Sequence, residues 1–205
     1  PVTPLDVCYV TGVKGGTDVT TAKDITEWSY LFTGQEEGEN HLNLLLDHLY
    51  AGVSLRFKVD EDYARLRTIR LKTVAIRPAN ARRVTAAVTL RSQRKPTVAF
   101  SREDADGNIP SLLDSGDGVE LQTDGELQVD GYVVPVAAGG LTLVCTYDVY
   151  DKKGNLLRQD CTAEDAIEGR VTLTAGTQTV LNAKVTPTYL YMLSNPDNPK
   201  ISFGE

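Results

Sequence analysis

The chain has 205 residues, of which 41% are hydrophobic and 24% are charged, and its formal net charge at pH 7 is −7. These proportions allow a buried core and exclude a disordered chain, and no apolar run approaches the roughly 20 residues that a membrane-spanning helix needs. A chain of this length can form one large β domain or two sandwiches of about 100 residues each.

The first half of the chain contains a series of predicted strands. Apolar and polar residues alternate with the period of two that is typical of a strand with one buried face. In the segment 66–76 the apolar residues change parity, which predicts a β-bulge near Lys72 or Thr73. The predicted strands, some of them weak, are residues 6–13, 25–32, 53–59, 66–76 and 84–90.

Residues 41–50 contain five leucines and are compatible with two structures. Leucine favours a short amphipathic helix, whereas the surrounding strand patterns favour a strand that continues into Gly52. The strand is the preferred interpretation, and the helix stays open.

Residues 101–118 are rich in Asp, Gly, Ser and Pro, a composition that is typical of loops. They predict an N-terminal domain at 1–105, a linker at 106–118 and a C-terminal domain at 119–205. In the C-terminal part, the alternation predicts hairpins at 119–129 and 171–185, and further strands at 132–136 and 189–193.

The clearest single element is a hairpin between residues 141 and 161, turning at 151–155 with Gly154 in the left-handed conformation. The simplest register places Cys145 opposite Cys161 on the buried face. These two residues are then either packed free thiols or a disulfide, which would require a compartment outside the cytosol. Cys8 is expected to be a lone strand residue.

Catalytic signatures are missing from the sequence. His41 and His48 have no metal-binding HExxH context, no GxSxG nucleophile motif is present, and the glycines near residue 15 do not form a phosphate loop. The oxygen-rich residues 104–108 lack the spacing of a calcium-binding EF-hand. The sequence therefore predicts a protein that is not an enzyme, with no catalytic residue, cofactor or metal.

Charge is segregated along the chain, because residues 56–95 hold twelve basic and three acidic side chains while both flanking segments are acidic. The basic residues alternate with apolar ones along strands, as on the solvent-facing side of a sheet, which argues against nucleic acid binding. Contact with a glycan or a partner protein is an alternative to a merely solvated surface. The candidate contact residues are Arg70 and Lys72, together with Tyr189 and Tyr191 on one side of the last predicted strand.

Four segments follow one another in an informative order: HLYAGVSLRF at 48–57, CTYDVYDKKGN at 145–155, LTAGTQTVLNAKV at 173–185 and PTYLYMLSNPD at 187–197. The last three are similar to the C-terminal portion of Bacteroidales-type fimbrillins, which are fimbrial subunits with related tip and anchor components. The first resembles a histidine-led strand of that family's N-terminal domain. Together they cover roughly a third of the chain.

The resemblance implies an all-β fold of two antiparallel Greek-key (transthyretin-like) β-sandwich domains. It also implies export as a lipoprotein precursor and a place at the cell surface, associated with the outer membrane, as a structural or adhesive component of a fimbrium. The implied partners are other fimbrial subunits or copies of the same chain joined by exchange of a β-strand, with a surface glycan or host protein as a further partner. A carbohydrate-binding surface module is the alternative function.

One departure from the family concerns maturation, which in polymerising fimbrillins often cleaves the chain after an arginine near the N-terminus. The first arginine here is Arg56, inside a predicted core strand, where cleavage would destroy the sheet. Residues 1–6 also lack the basic start and apolar core of a signal peptide, as a processed or truncated chain would. Stalk, tip and anchor roles stay open.

Overall fold

The computed structural model describes residues 6–15, 21, 42–77, 79, 83–91, 94–103, 110–123, 127–136, 140–167, 171–186 and 200–203. These residues contain twelve strands and one short helix. The strands are β1 (Cys8–Gly15), β2 (Leu42–His48), β3 (Ala51–Val59), β4 (Thr68–Arg77), β5 (Arg83–Arg91), β6 (Arg94–Glu103), β7 (Leu113–Glu120), β8 (Leu127–Val133), β9 (Leu141–Tyr150), β10 (Leu156–Ile167), β11 (Gln178–Thr186) and β12 (Lys200–Phe203), and the helix is α1 (Glu61–Leu66). No helix in these ranges is both long enough and apolar enough to cross a bilayer.

The chain divides into two compact units. The larger unit contains β3, α1, β4 and β7 to β12, whereas the smaller unit contains β1, β2, β5 and β6. The predicted division into 1–105, a linker at 106–118 and 119–205 is therefore corrected. Strands β3 and β4 belong to the same unit as the strands of the second half, and all of the predicted linker's last six residues, 113–118, lie within β7.

The larger unit is a β-sandwich of two four-stranded sheets with the orders β10-β9-β4-β7 and β12-β11-β3-β8. The all-β sandwich fold predicted from the sequence is confirmed. Among the described strands of this unit every pairing is antiparallel except that of β3 with β11, which is parallel from Gly52 opposite Gln178 to Val59 opposite Val185. The core lies between the sheets, and its largest fully buried side chains are Tyr63, Tyr147, Phe57, Leu55, Ile69, Leu71, Ile76, Leu141, Leu143 and Leu173.

The helix α1 carries the chain from one sheet to the other. Asp60 caps its N-terminus by accepting a hydrogen bond from the Asp62 N–H at 3.0 Å, as side chains of this type commonly do. Tyr63 is the buried residue of the helix and fills part of the sandwich core. The connection between the predicted strands 53–59 and 66–76 is therefore a capped helical turn.

The predicted β-bulge in β4 is confirmed. The pairing of β4 with β9 shifts between Leu71 and Thr73, so Ile69 and Leu71 before the shift and Val74 and Ile76 after it all face the core. Alternating side chains alone were sufficient to locate this irregularity.

The turn between β9 and β10 also agrees with the prediction. Gly154 has a φ of +86°, a conformation that glycine adopts without steric cost. The Asp151 carboxylate accepts the N–H groups of Lys153 and Asn155, both at 2.8 Å, and the side-chain amide of Asn155 at the same distance. These bonds, that from the Asn155 side chain above all, lower the pKa of Asp151.

The smaller unit contains two two-stranded antiparallel sheets in the described residues, β1 with β2 and β5 with β6. Residues 42–48 form a strand, so the preferred interpretation of the leucine-rich segment is confirmed. The backbone N–H of Leu49 donates to the Val7 carbonyl at 2.6 Å and extends the β1–β2 pairing by one step.

Two predicted hairpins are wrong. The hairpin predicted at 119–129 does not form, because its first residues end β7, its last residues begin β8, and these two strands lie in different sheets. The second predicted hairpin fails because Leu173 forms an isolated bridge with Val136 while β11 pairs with β3 and β12. A turn does lie at 174–177, where the Thr177 N–H donates to the Thr174 carbonyl, but the segments on its two sides pair with different strands. The predicted strands at 25–32 and 189–193 lie outside the described residues.

Candidate functional site: an open strand edge

The two predicted basic contact residues lie on the outer face of β4. Lys72 Nζ is 2.5 Å from Asp160 Oδ1 and 3.6 Å from Asp148 Oδ2, and only 17% of its side chain is exposed. The Arg70 guanidinium lies 5.3 Å from the centroid of the Tyr150 ring, within the range of a cation–π contact. Both side chains therefore have partners within their own sheet, and glycan or partner binding through them stays a prediction.

Asp148 organises this polar face. It is only 6% exposed, and its Oδ1 accepts the backbone N–H of Asp160 at 2.8 Å. Asp160 has a φ of +53° and lies where β10 bulges, so the Asp148 carboxylate holds an otherwise unfavourable backbone conformation in place. The hydrogen bond from Lys72 to Asp160 raises the pKa of the lysine and keeps it positive.

A second ion pair joins the same strands farther along, between Arg77 and Glu164, whose charged atoms are 2.5 Å apart. Basic residues of β4 thus meet acidic residues of β9 and β10 within one sheet. Part of the charge segregation seen in the sequence is therefore complementarity inside the sandwich.

The predicted pairing of the two cysteines is wrong by two residues. Cys145 lies opposite Ala163 and Cys161 opposite Tyr147, because β10 shifts register twice between Leu156 and Cys161. The cysteines are diagonal neighbours, for which the Cα separation is about 7–8 Å, too long for a disulfide without backbone movement. Both are free thiols, and burial raises the pKa of Cys145 to about 12. The other two predicted contact residues, Tyr189 and Tyr191, lie outside the described residues.

Strand β11 is only partly covered on the side of β12. Its partner β12 has four residues and pairs only with the segment from Ala183 to Thr186. Residues 178–182 pair with β3 on one side, and no described strand pairs with them on the other. These five residues span about 16 Å at roughly 3.3 Å per residue, and their outer backbone groups have no partner strand among the described residues. An edge of this kind is a template for another strand.

The side chains along this edge alternate between the core and the outer face of the sheet. Leu181 points into the core and is buried, whereas Val180 points outward and is 47% exposed. No residue type marks these positions in the sequence, because residues 179–185 have the pattern of any half-buried strand.

Two of the other edges are less suited to pairing. The pairing of β10 with β9 is interrupted by two register shifts. The pairing of β7 with β4 is interrupted by one, and Gly118 of β7, with a φ of +70°, lies beside it. Bulges of this kind are a common means of preventing edge-to-edge association. Strand β8 pairs regularly with β3 but presents Gln128 and Asp130 on its exposed side, and their side chains bond to each other.

A further group, absent from the sequence-based candidates, lies at one end of the β1–β2 sheet. His48 Nδ1 is 2.7 Å from Asp6 Oδ2 and 3.6 Å from Cys8 Sγ. Cys8 and His48 are directly opposite in the strand register although they are 40 residues apart. The only sequence signal was the alternation that places Asp6 and Cys8 on one strand face, and the pairing partner could not be inferred from spacing.

Comparison with known proteins gives two solved structures to report. No protein-family model matches the chain, and no curated protein matches it. The chain is similar to a candidate cell adhesion protein from Bacteroides fragilis NCTC 9343, with 11% identity and a TM-score of 0.42, over 81% of this chain and 51% of that one. It is also similar to one from Bacteroides uniformis ATCC 8492, with 18% identity and a TM-score of 0.33, over 78% and 51%. The chain spans about half the length of these solved structures.

Proposed function

We propose that this chain is a non-enzymatic, surface-exposed, fimbrillin-like protein that serves as a structural or adhesive component of a fimbrium. Its subunits join by addition of a β-strand to the open edge of β11. Its partners are copies of itself or other fimbrial subunits, and its place is the outer surface of the cell.

The observation that carries this proposal is the incomplete pairing of β11. In the described residues, the sheet is complete beside residues 183–186 and incomplete beside residues 178–182. An extended segment from another subunit would add about five backbone hydrogen bonds, each worth roughly 0.5–1.5 kcal/mol net. Strand addition of this kind is a recurrent mode of protein recognition.

The sequence supplies independent support. The ordered motifs at 145–155, 173–185 and 187–197 resemble those of fimbrillins, and the second of them includes β11 itself. The sequence also lacks the nucleophile and phosphate-binding motifs of common enzyme classes. The proposal thus joins a family resemblance to an edge that has the chemistry which polymerisation requires.

Self-association of the purified chain tests the role of the edge. A lysine at Val180 would place a charge on the open edge, and charged side chains block edge pairing. We expect Val180→Lys to weaken self-association at least about 10-fold, or roughly 1.4 kcal/mol, measured by sedimentation velocity across a concentration series. Val144→Lys is the matched control, because Val144 faces outward on β9, which is paired on both sides.

Equal weakening by both variants, or no effect of Val180→Lys on a chain that self-associates, would refute assembly through β11. Labelling of intact cells with a membrane-impermeant reagent tests the location separately. We expect the native protein to be labelled, and a protein protected until the cells are lysed would exclude a surface role.

A further inference from the structure

We propose that Asp6, Cys8 and His48 form a binding site for a single zinc ion. The three residues belong to the smaller unit and lie at one end of the β1–β2 sheet. One ligand atom from each lies within 4.8 Å of the others. This site is independent of the assembly edge.

The backbone explains why the three side chains converge. Cys8 and His48 are paired across the antiparallel ladder, and Asp6 lies two residues before Cys8 and therefore on the same face. The hydrogen bond from Leu49 to Val7 holds the two chain segments together between the three ligands. The ligands are thus positioned by main-chain pairing and do not depend on a loop.

The separation of two ligand atoms matches tetrahedral zinc. With zinc–sulfur and zinc–nitrogen bonds of about 2.3 and 2.0–2.1 Å, a tetrahedral angle separates sulfur from nitrogen by about 3.6 Å. The distance from Cys8 Sγ to His48 Nδ1 is 3.6 Å. The contact of 2.7 Å between His48 and Asp6 is a hydrogen bond, and a zinc ion that replaced the shared proton would widen it to about 3.3 Å.

The carboxylate provides a second, independent observation. Asp6 Oδ1 is shielded from solvent and has no hydrogen-bond partner in the described part of the chain. A buried carboxylate oxygen without a partner is unfavourable, and a cation bound between the three side chains would compensate the charge. Nitrogen and sulfur ligands together favour zinc over calcium or magnesium, which prefer oxygen.

The site is open enough to be loaded. Cys8 is exposed and the His48 side chain is 51% exposed, whereas that of Asp6 is 25% exposed. Three protein ligands leave the fourth tetrahedral position to water or to a group from another molecule. Because the thiolate and the neutral imidazole are the binding forms, zinc affinity should increase with pH.

Cobalt substitution tests the site on the whole chain of 205 residues. We expect the chelator-treated, reduced protein to bind one equivalent of Co²⁺ with a thiolate-to-cobalt charge-transfer band and the visible bands of tetrahedral cobalt, and Zn²⁺ to abolish both. Zinc affinity, measured by competition with a chromophoric chelator, should fall more than 10-fold in Cys8→Ser and in His48→Gln. Even the loss of a residue that only hydrogen-bonds to a metal ligand costs about 10–100-fold in affinity.

Cys161→Ser is the matched control, because it removes a thiol from the other unit and should leave zinc binding unchanged. Circular dichroism verifies that each variant keeps its strand content. A wild-type protein without the charge-transfer band would overturn the proposal whatever the variants do. Equal loss of affinity in Cys8→Ser and Cys161→Ser would overturn it as well.

Discussion

Replacing Asp148 tests whether one buried carboxylate stabilises the polar face formed by β4, β9 and β10. Asp148→Ala removes the acceptor of the Asp160 N–H, which lies 2.8 Å away. A buried donor left without a partner costs about 1–3 kcal/mol, and hydrogen bonds to charged groups lie in the upper part of that range. We therefore expect the free energy of unfolding to fall by about 2–3 kcal/mol.

Asp148→Asn separates the hydrogen bond from the charge. The amide oxygen of asparagine can still accept the Asp160 N–H, but its NH₂ group would then face Lys72, which is also a donor. We expect a smaller loss of about 1 kcal/mol. Asp130→Ala on β8 is the control, because Asp130 is exposed and bonds only to Gln128 in the described part, so the change should stay within about 0.5 kcal/mol.

Urea unfolding followed by circular dichroism measures these differences by linear extrapolation. Equal losses for the alanine and asparagine variants would show that the charge and not the acceptor matters. Losses below about 0.5 kcal/mol in both, the range of ordinary surface substitutions, would refute the reasoning, since the left-handed Asp160 would then need no support from Asp148.

Three further outcomes are expected. Gly118→Ala should lower the free energy of unfolding in urea by at least about 1 kcal/mol more than Gly154→Ala. Both glycines have a positive φ, which costs roughly 1–2 kcal/mol for other residues. Only at Gly118 would the added Cβ also lie too close to another atom, 2.8 Å from the Cβ of Arg70. The hydrogen bond from Lys184 lowers the pKa of Asp60 below its ordinary value of 3.8. The ionised carboxylate therefore stabilises the folded state at any pH above 3.8. This stabilisation is lost as the pH falls through the lowered pKa of the folded state. Asp60→Asn should therefore be less stable than the wild type at pH 7 and equal to it in strong acid, and a difference that persists in acid would contradict this origin. The Cys145 thiol, buried and with its pKa raised to about 12, should react with a disulfide reagent only after unfolding in urea, whereas modification in native buffer would contradict its burial.

Local pattern was sufficient for the individual strands. The change of parity in residues 66–76 correctly predicted the bulge of β4, and the glycine at position 154 correctly predicted the turn after β9. Both features could be predicted because each depends on residues that are neighbours in sequence. The leucine-rich segment at 42–48 was also identified as a strand, on the evidence of its surroundings.

Pairing between distant segments could not be read in the same way. The partners of β3 are β8 and β11, both far along the chain, and nothing in alternation specifies them. The register of the cysteines failed because the left-handed residue at the β10 bulge is Asp160, where a glycine would have been the usual signal. The group of Asp6, Cys8 and His48 could not be predicted from the sequence, because only the pairing of β1 with β2 brings these residues together.

The position of β3 in its sheet also determines when the sandwich can form during synthesis. Its two neighbours span residues 127–133 and 178–186, so a nascent chain that ends before residue 186 cannot complete either the sheet or the core beneath it. Contacts that join such distant segments are formed late and fold slowly. The larger unit can therefore complete its sandwich only after synthesis has passed β11, whereas the strands of the smaller unit have all been made by residue 103.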